Sequence, residues 1–400
     1  MPRVVVVADD LTGAHDAAAP FSMRGLDTRV ARRIEAIEAT LQEPGCAVLS
    51  VNTTSRHLPS AEAAARVRAV RDRLTALGVV PDVVYKKVDS TLRGNVAAEV
   101  AALADGDPPR PVLACPALPF QGRTMRGGVL EVDGVPLAET AYVHDAVTPA
   151  SPIPLAEQLA AACGRDAAEI DSTALPEAPT ASVLVANAQS DVDLLALASW
   201  WSRRCRDALL VGSAGLAEAV AEIEVGPRHP LAELPAAPGP MLVVVGSRAT
   251  ASARQAQALA AVPTTRHLVA PAGVLPDGWQ DGPPLEDAEA VLVQATDDGR
   301  RHDPRVVAHA LAEITAMLVG RLRPWLLLLT GGDTADAAME RLGLDHVRLL
   351  GELEPGAPVL VTTALASGPL AVVTKAGGFG RPDFMTGIAA RLRRDAAGST

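Results

Sequence analysis

The chain has 400 residues, 48% of them hydrophobic and 2% aromatic, with a formal net charge of −11. That length exceeds one compact core and predicts two domains. The acidic balance and scarcity of rings exclude a nucleic-acid surface, while a local pocket can still be basic. Cys46, Cys115, Cys163 and Cys205 are scattered without a CxxC pair, which predicts free thiols in a reducing cytoplasm rather than disulfides or zinc. No run is long enough to span a membrane, and the four N-terminal valines are too few for a secretory signal.

In chain order, "RVVVVA" reads as a strand buried on both faces, followed by the loop "DDLTGAHD" and a helix stopping at Gly25. "CAVLSVN" is a second strand, and "AEAAARVRAVRDRLTALG" a periodic helix ending at Gly78. "PDVVYKK", "RPVLACPA" and "ASVLVANA" are further strands, and "ALLVGSAGLAEAVAEI" is strand, glycine turn, helix. Residues 226–240 are Pro-rich and aperiodic, which predicts a linker between domains 1–225 and 241–400. The second half repeats the grammar in "MLVVVGSRATASARQAQALAAV", "AEAVLVQAT", "PWLLLLTGGDTADAAMERLG" and "LAVVTKAGGFG". The expected fold class is therefore α/β: two α/β domains with mainly parallel sheets and a ligand cleft between them. Ligands of such sheets gather beyond the carboxyl ends of strands, where every notable cluster of this chain falls.

"ADDLTGAHD" crowds Asp9, Asp10 and Asp16 around a turn. Carboxylates this close repel, so the turn should hold a cation, a hydroxyl-bearing ligand or a proton. Helix capping would explain one aspartate but not two in succession. Asp16 reads as structural, and His15 is given no role. In "YKKVDSTLRGNVAAEV" a cap at Asp89 or Ser90 would explain one residue, but not Lys86, Lys87 and Arg93 beside the same strand end. Basic groups with hydroxyls and fresh backbone N–H donors make an anion site. "GSRAT", "TGGDTAD" and "KAGGFG" are weak signals singly, but three glycine loops at strand ends of one domain point to a phosphate-bearing ligand. None is a Walker A loop or a GxGxxG fingerprint, and no zinc or Ser-His-Asp signature appears.

Taken in order, "ADDLTGAHD", "YKKVDSTLRGNVAAEV", "PALPFQGRT", "VPLAET", "VGSAGLA", "GSRATASARQ", "LTGGDTADA" and "KAGGFGRPDF" resemble the four-carbon acid sugar kinases, long described as a domain of unknown function. The resemblance covers nearly the whole chain. It implies an N-terminal domain for the sugar acid, a C-terminal domain for ATP with Mg²⁺, and phosphorylation of threonate, erythronate or 3-oxo-tetronate at the terminal hydroxyl. It also implies that Asp10, Arg56, Lys87, Asp89, Ser90 and Arg93 face the sugar acid, and that Ser247, Gly331, Gly332, Asp333, Thr334 and Gly378 face the nucleotide. Asn187 is a departure, since the family often has an aspartate there.

The residue chemistry agrees with that reading. Arg93, Lys87 and Arg56 could pair with a carboxylate, and Asp10 or Asp89 could take the proton of the attacking hydroxyl. Phosphoryl transfer asks mainly for alignment and charge neutralisation. Two rivals share part of the pattern. An NAD(P)-dependent hydroxy-acid oxidoreductase lacks its GxGxxG here, and a non-catalytic sugar-acid sensor has no use for three glycine loops. The choice of tetronate, the choice between Asp10 and Asp89 as base, the metal ligands and a homo-oligomeric state stay open at this level.

Overall fold

The computed structural model describes residues 1–388 apart from 107, 146, 147, 233, 236, 237, 366 and 367. The chain divides into two compact units, Met1–His229 and Pro230–Thr400. The division falls inside the Pro-rich 226–240 stretch.

In the first unit, strands with continuous apolar runs alternate with helices, as parallel strands covered on both faces require. The elements are β1 (Val4–Ala8), α1 (Leu11–Ser22), β2 (Thr28–Ala31), α2 (Ile37–Gln42), β3 (Val48–Asn52), α3 (Ser60–Ala76), β4 (Val83–Lys87), α4 (Val96–Ala104) and β5 (Val112–Cys115). A small antiparallel sheet follows, β6 (Arg123–Arg126), β7 (Val129–Val132) and β8 (Val135–Pro136). Then come α5 (Leu155–Cys163), β9 (Ala167–Asp171), β10 (Val183–Asn187), α6 (Asp191–Arg204), β11 (Leu209–Gly212) and α7 (Ala214–Val225). The main strands run in the order β2-β3-β1-β4-β11-β5-β10-β9, every neighbouring pair parallel.

The second unit contains β12 (Gly239–Val245), α8 (Thr250–Ala260), β13 (Thr265–Pro271), β14 (Ala290–Thr296), α9 (Pro304–Leu322), β15 (Pro324–Thr330), α10 (Gly332–Arg341), β16 (His346–Glu352), β17 (Pro358–Thr362) and β18 (Leu370–Lys375). Its order is β13-β14-β12-β15-β18-β17-β16, parallel through β18 and antiparallel at β17 and β16. The α/β reading therefore holds in both units, with this antiparallel pair and the β6–β8 sheet added. Among the described residues no helix is long and apolar enough to cross a membrane.

Register brings the loops together. Ala8 pairs with both Asn52 and Lys87, so β3, β1 and β4 end level and their following loops are neighbours. In the second unit Val245 pairs with Thr330 and Thr330 with Lys375, which levels the ends of β12, β15 and β18 in the same way.

Candidate active site

At the β3-β1-β4 end, Arg56 gathers the acidic turn. Its Nε and Nη2 donate to the two oxygens of Asp9 at 2.8 and 2.9 Å, and its Nη1 donates to Asp10 Oδ2 at 2.6 Å. Burial pushes the Asp9 carboxyl up, but Arg56, Lys86 and Lys87 outweigh it and hold the group below the usual carboxylate range. Asp10 also caps α1, accepting from Gly13 N at 2.8 Å. Capping and site membership are thus compatible, because the two carboxylate oxygens face different donors.

The β4 end is organised differently from the sequence expectation in one respect. Successive strand residues face opposite sides, and Lys86 turns away from the acidic turn. Its side chain is 0% exposed, and Nζ lies 2.8 Å from Glu99 Oε2 on α4. Glu99 Oε1 accepts from Ser55 Oγ at 2.5 Å, and Ser55 meets Thr53 Oγ1 at 2.6 Å. Lys86 is therefore a brace behind the Arg56 loop and leaves the surface cluster. Lys87 faces α1, where its Nζ lies close to Gly13. It is 6% exposed, and its ammonium has no hydrogen bond or ion pair with the described residues.

Asp89 accepts from Thr91 N at 3.1 Å, from Thr91 Oγ1 at 2.5 Å, and from Arg93 Nε and Nη2 at 3.0 Å each. Burial pushes its carboxyl up, yet the Arg93 bonds and the Arg56 charge prevail and hold it well below the carboxylate range. The Arg93 fork that the sequence suggests for a substrate carboxylate is closed on Asp89 here. Its Nη1 has no partner among the described residues, and the guanidinium lies 5.8 Å from the Tyr142 ring centroid. Neither Asp89 nor Ser90 caps a helix, because α4 starts only at Val96. Leu92 (φ 56°) bends the intervening loop. The Ser90 hydroxyl is half-buried and bonds no described residue.

Asp16 is half-buried, its Oδ1 without a partner, and burial pushes its carboxyl up to about 6, with Lys87 and Arg56 opposing and Asp10 adding. His15 is buried and pushed down to about 3 by burial and Arg32, so its ring is neutral. Asn187 supplies Oδ1 to the amide of Gly128 at 2.8 Å, a contact an amide oxygen makes as well as a carboxylate would.

In the second unit the three glycine loops meet. Gly246 N donates to Thr330 O at 3.2 Å and Gly331 N to Lys375 O at 2.9 Å. Gly331 has φ 105°, a region that side chains rarely enter. A Cβ on Gly377 would collide with Ser247 Oγ, so that pair demands glycine. Gly332 and Gly378 meet nothing within 4 Å; their bare backbones face open space. Asp333 is exposed on the first turn of α10, and Thr334 is buried against Gly246. The sequence reading missed Gly377 and Lys375, although both lie in the loop it singled out. Lys375 is 2% exposed, and burial pushes its ammonium down to about 8. Among the described residues no group of three or more His, Cys, Asp or Glu side chains could hold a metal ion.

Residues 4–220 match the model of a sugar-binding N-terminal domain, and residues 242–385 that of a nucleotide-binding C-terminal domain. The chain is 37% identical to a D-threonate kinase of Bordetella bronchiseptica, over 98% of each chain. It is 30% identical to a 3-oxo-tetronate kinase of Methylobacterium radiotolerans, over 94% of this chain and 96% of the relative. Its fold is that of a solved Haemophilus influenzae protein, with a TM-score of 0.77 at 20% identity over 97% of this chain and 100% of the other.

Proposed function

Because the chain belongs to the four-carbon acid sugar kinase family and is a kinase of a four-carbon sugar acid, we propose that it transfers the γ-phosphoryl group of ATP to the terminal hydroxyl of D-threonate. The higher identity to the D-threonate kinase than to the 3-oxo-tetronate kinase supports that choice of acid. The observation that carries the reading is the nearly buried Lys87 ammonium beside the Asp9–Asp10 turn, which feels the charges of Asp9 and Asp16 but donates no hydrogen bond to a described residue. Its free donors suit an anionic ligand.

In this reading Lys87 and Arg93 Nη1 receive the substrate carboxylate, with Ser90 bonding a hydroxyl. Asp10 is the base. It is the more open of the two candidates, its side chain 29% exposed against 12% for Asp89. Asp89 accepts four hydrogen bonds from Thr91 and Arg93, against a single bond on each oxygen of Asp10, so Asp89 serves to orient Arg93. Arg56 holds Asp10 in place while the hydroxyl gives up its proton and its oxygen attacks phosphorus. Ser247, the Gly331–Thr334 turn and Gly378 take the nucleotide phosphates. Mg²⁺, where bound, would be held chiefly by the nucleotide phosphates and would supply charge neutralisation during transfer.

ADP release measured over a panel of four-carbon acids tests the proposal. D-threonate should give the highest kcat/KM. Preference for 3-oxo-tetronate or erythronate would overturn the substrate. No ADP release with any four-carbon acid, together with NAD(P)H turnover, would favour the oxidoreductase instead.

A further inference from the structure

The loop after β18 is bound from beneath by three buried side chains. Lys375 Nζ donates to Ala376 O at 3.1 Å and to Phe379 O at 2.9 Å. Ser252 Oγ donates to Gly377 O at 2.6 Å. Gln255 Nε2 donates to the carbonyls of Phe379, Gly380 and Arg381 at 3.2, 3.1 and 2.8 Å. Ser252 and Gln255 stand three residues apart on α8, which places them on one face of that helix. Both are 0% exposed. Three carbonyls around one nitrogen fix which end of the Gln255 amide faces the loop. That orientation leaves Gln255 Oε1 buried without a partner, a cost set against the three bonds that its Nε2 makes to the loop.

The consequence follows from peptide geometry. In a trans peptide the carbonyl and the next N–H point in opposite directions. With the carbonyls of Ala376, Gly377, Phe379 and Gly380 drawn down to the brace, the amides of Gly377, Gly378, Gly380 and Arg381 point away from it. None of these four amides donates to a described residue. A row of outward amides over a buried cation is an anion-binding concavity. It lies beside Ser247 and Gly331, since Gly377 packs on Ser247 and Gly331 N bonds Lys375 O.

We propose that Lys375, Gln255 and Ser252 form a brace that presents the amides of residues 377–381 to the polyphosphate of the nucleotide, Lys375 and Gln255 being positioning residues that touch no substrate atom. The inference deepens the nucleotide reading of this unit and rests on it. Arg cannot simply replace Lys375, because a longer planar head does not fit a site closed by carbonyls on a 2%-exposed stem.

The test is calorimetry on the full chain with ATP, ADP and adenosine. Lys375→Met and Gln255→Leu should each weaken ATP and ADP binding about tenfold or more, and should leave adenosine affinity within about twofold of wild type. Ser252→Ala removes one hydroxyl and should fold normally. It should weaken ATP by about three- to tenfold, so the idea stays testable if the larger changes unfold the chain. In steady state the nucleotide KM should rise while the sugar-acid KM holds. Unchanged ATP affinity in a folded variant, or an equal loss of ATP and adenosine, overturns the brace while leaving the kinase reading intact. A wild-type chain that binds neither ATP nor ADP overturns both.

Discussion

Arg93 closes Nε and Nη2 on the two oxygens of Asp89, each at 3.0 Å, four residues away on a loop that makes no helical turn. The pair consumes the guanidinium edge best suited to a carboxylate and leaves Nη1 without a hydrogen bond among the described residues.

This pairing changes what an Arg93→Lys substitution should do. Lysine keeps the charge but loses the fork, so Asp89 loses its anchor. Loss of charged hydrogen bonds of this kind costs on the order of 1.5–3 kcal/mol, a fall in kcat/KM of about ten- to a hundredfold. The fall should be larger for the acid than for the matching neutral polyol by about one hydrogen bond's worth, two- to tenfold. Steady-state kinetics on both substrates reads the difference. Equal losses would take Nη1 off the carboxylate.

The buried pair behind the site should behave as a unit. Glu99→Gln leaves the Lys86 ammonium buried without its counter-charge and should destabilise the chain by about 3–5 kcal/mol. Combining Lys86→Met with Glu99→Leu should recover most of that loss, because two apolar groups need no partner. Urea unfolding of the single and double variants measures both. A double variant as unstable as the single would mean that the Ser55–Glu99 bond, not the ion pair, carries the stability.

The glycines separate protein sterics from ligand contact. Gly332→Val meets nothing in the protein, so its stability should stay within about 0.5 kcal/mol of wild type while ATP affinity falls and sugar-acid affinity holds. Gly377→Ala must displace Ser247 and should lower thermal stability and ATP affinity together. Thermal unfolding and calorimetry on each variant check this. Unchanged ATP affinity in Gly332→Val removes the β15–α10 turn from the nucleotide site.

Asp16 gives a pH signature of definite sign. Its carboxyl rises from 3.8 in the unfolded chain to about 6 in the folded one. The folded chain therefore holds this proton more tightly. The stabilisation is complete below about pH 4 and is lost as pH rises through about 6. Asp16→Asn, which cannot ionise, should be more stable than wild type near neutral pH by on the order of 1–3 kcal/mol. The gap should close as pH falls below about 4. Chemical denaturation over a pH series tests it, and a gap independent of pH would mean that Asp16 folds with an ordinary carboxyl.

The sequence by itself determined the alternation of strands and helices for the main parallel strands, but not β2, the β6–β8 sheet, β9, β13 or the antiparallel β16 and β17. Apolar runs, glycine stops and helical periodicity are local properties of the backbone, and they marked the ends of β1, β4, β12, β15 and β18. It also marked the loops that carry Asp10, Lys87, Ser247 and Gly331. The divergence of Lys86 from Lys87 follows from the alternation of side chains along a strand, yet the charge pattern alone grouped the two, and only the Glu99 partner on α4 separates them. What only the tertiary structure decided is pairing. Arg56 reaches Asp9 and Asp10 because β3 lies beside β1 in level register, and 46 residues of chain carry no local trace of that neighbour. The demand for glycine at 377 comes from Ser247, and the carbonyl brace comes from α8, more than a hundred residues away. Such contacts are set by which strands lie side by side and in what register. That is a property of the whole packed core, and short-range periodicity does not encode it.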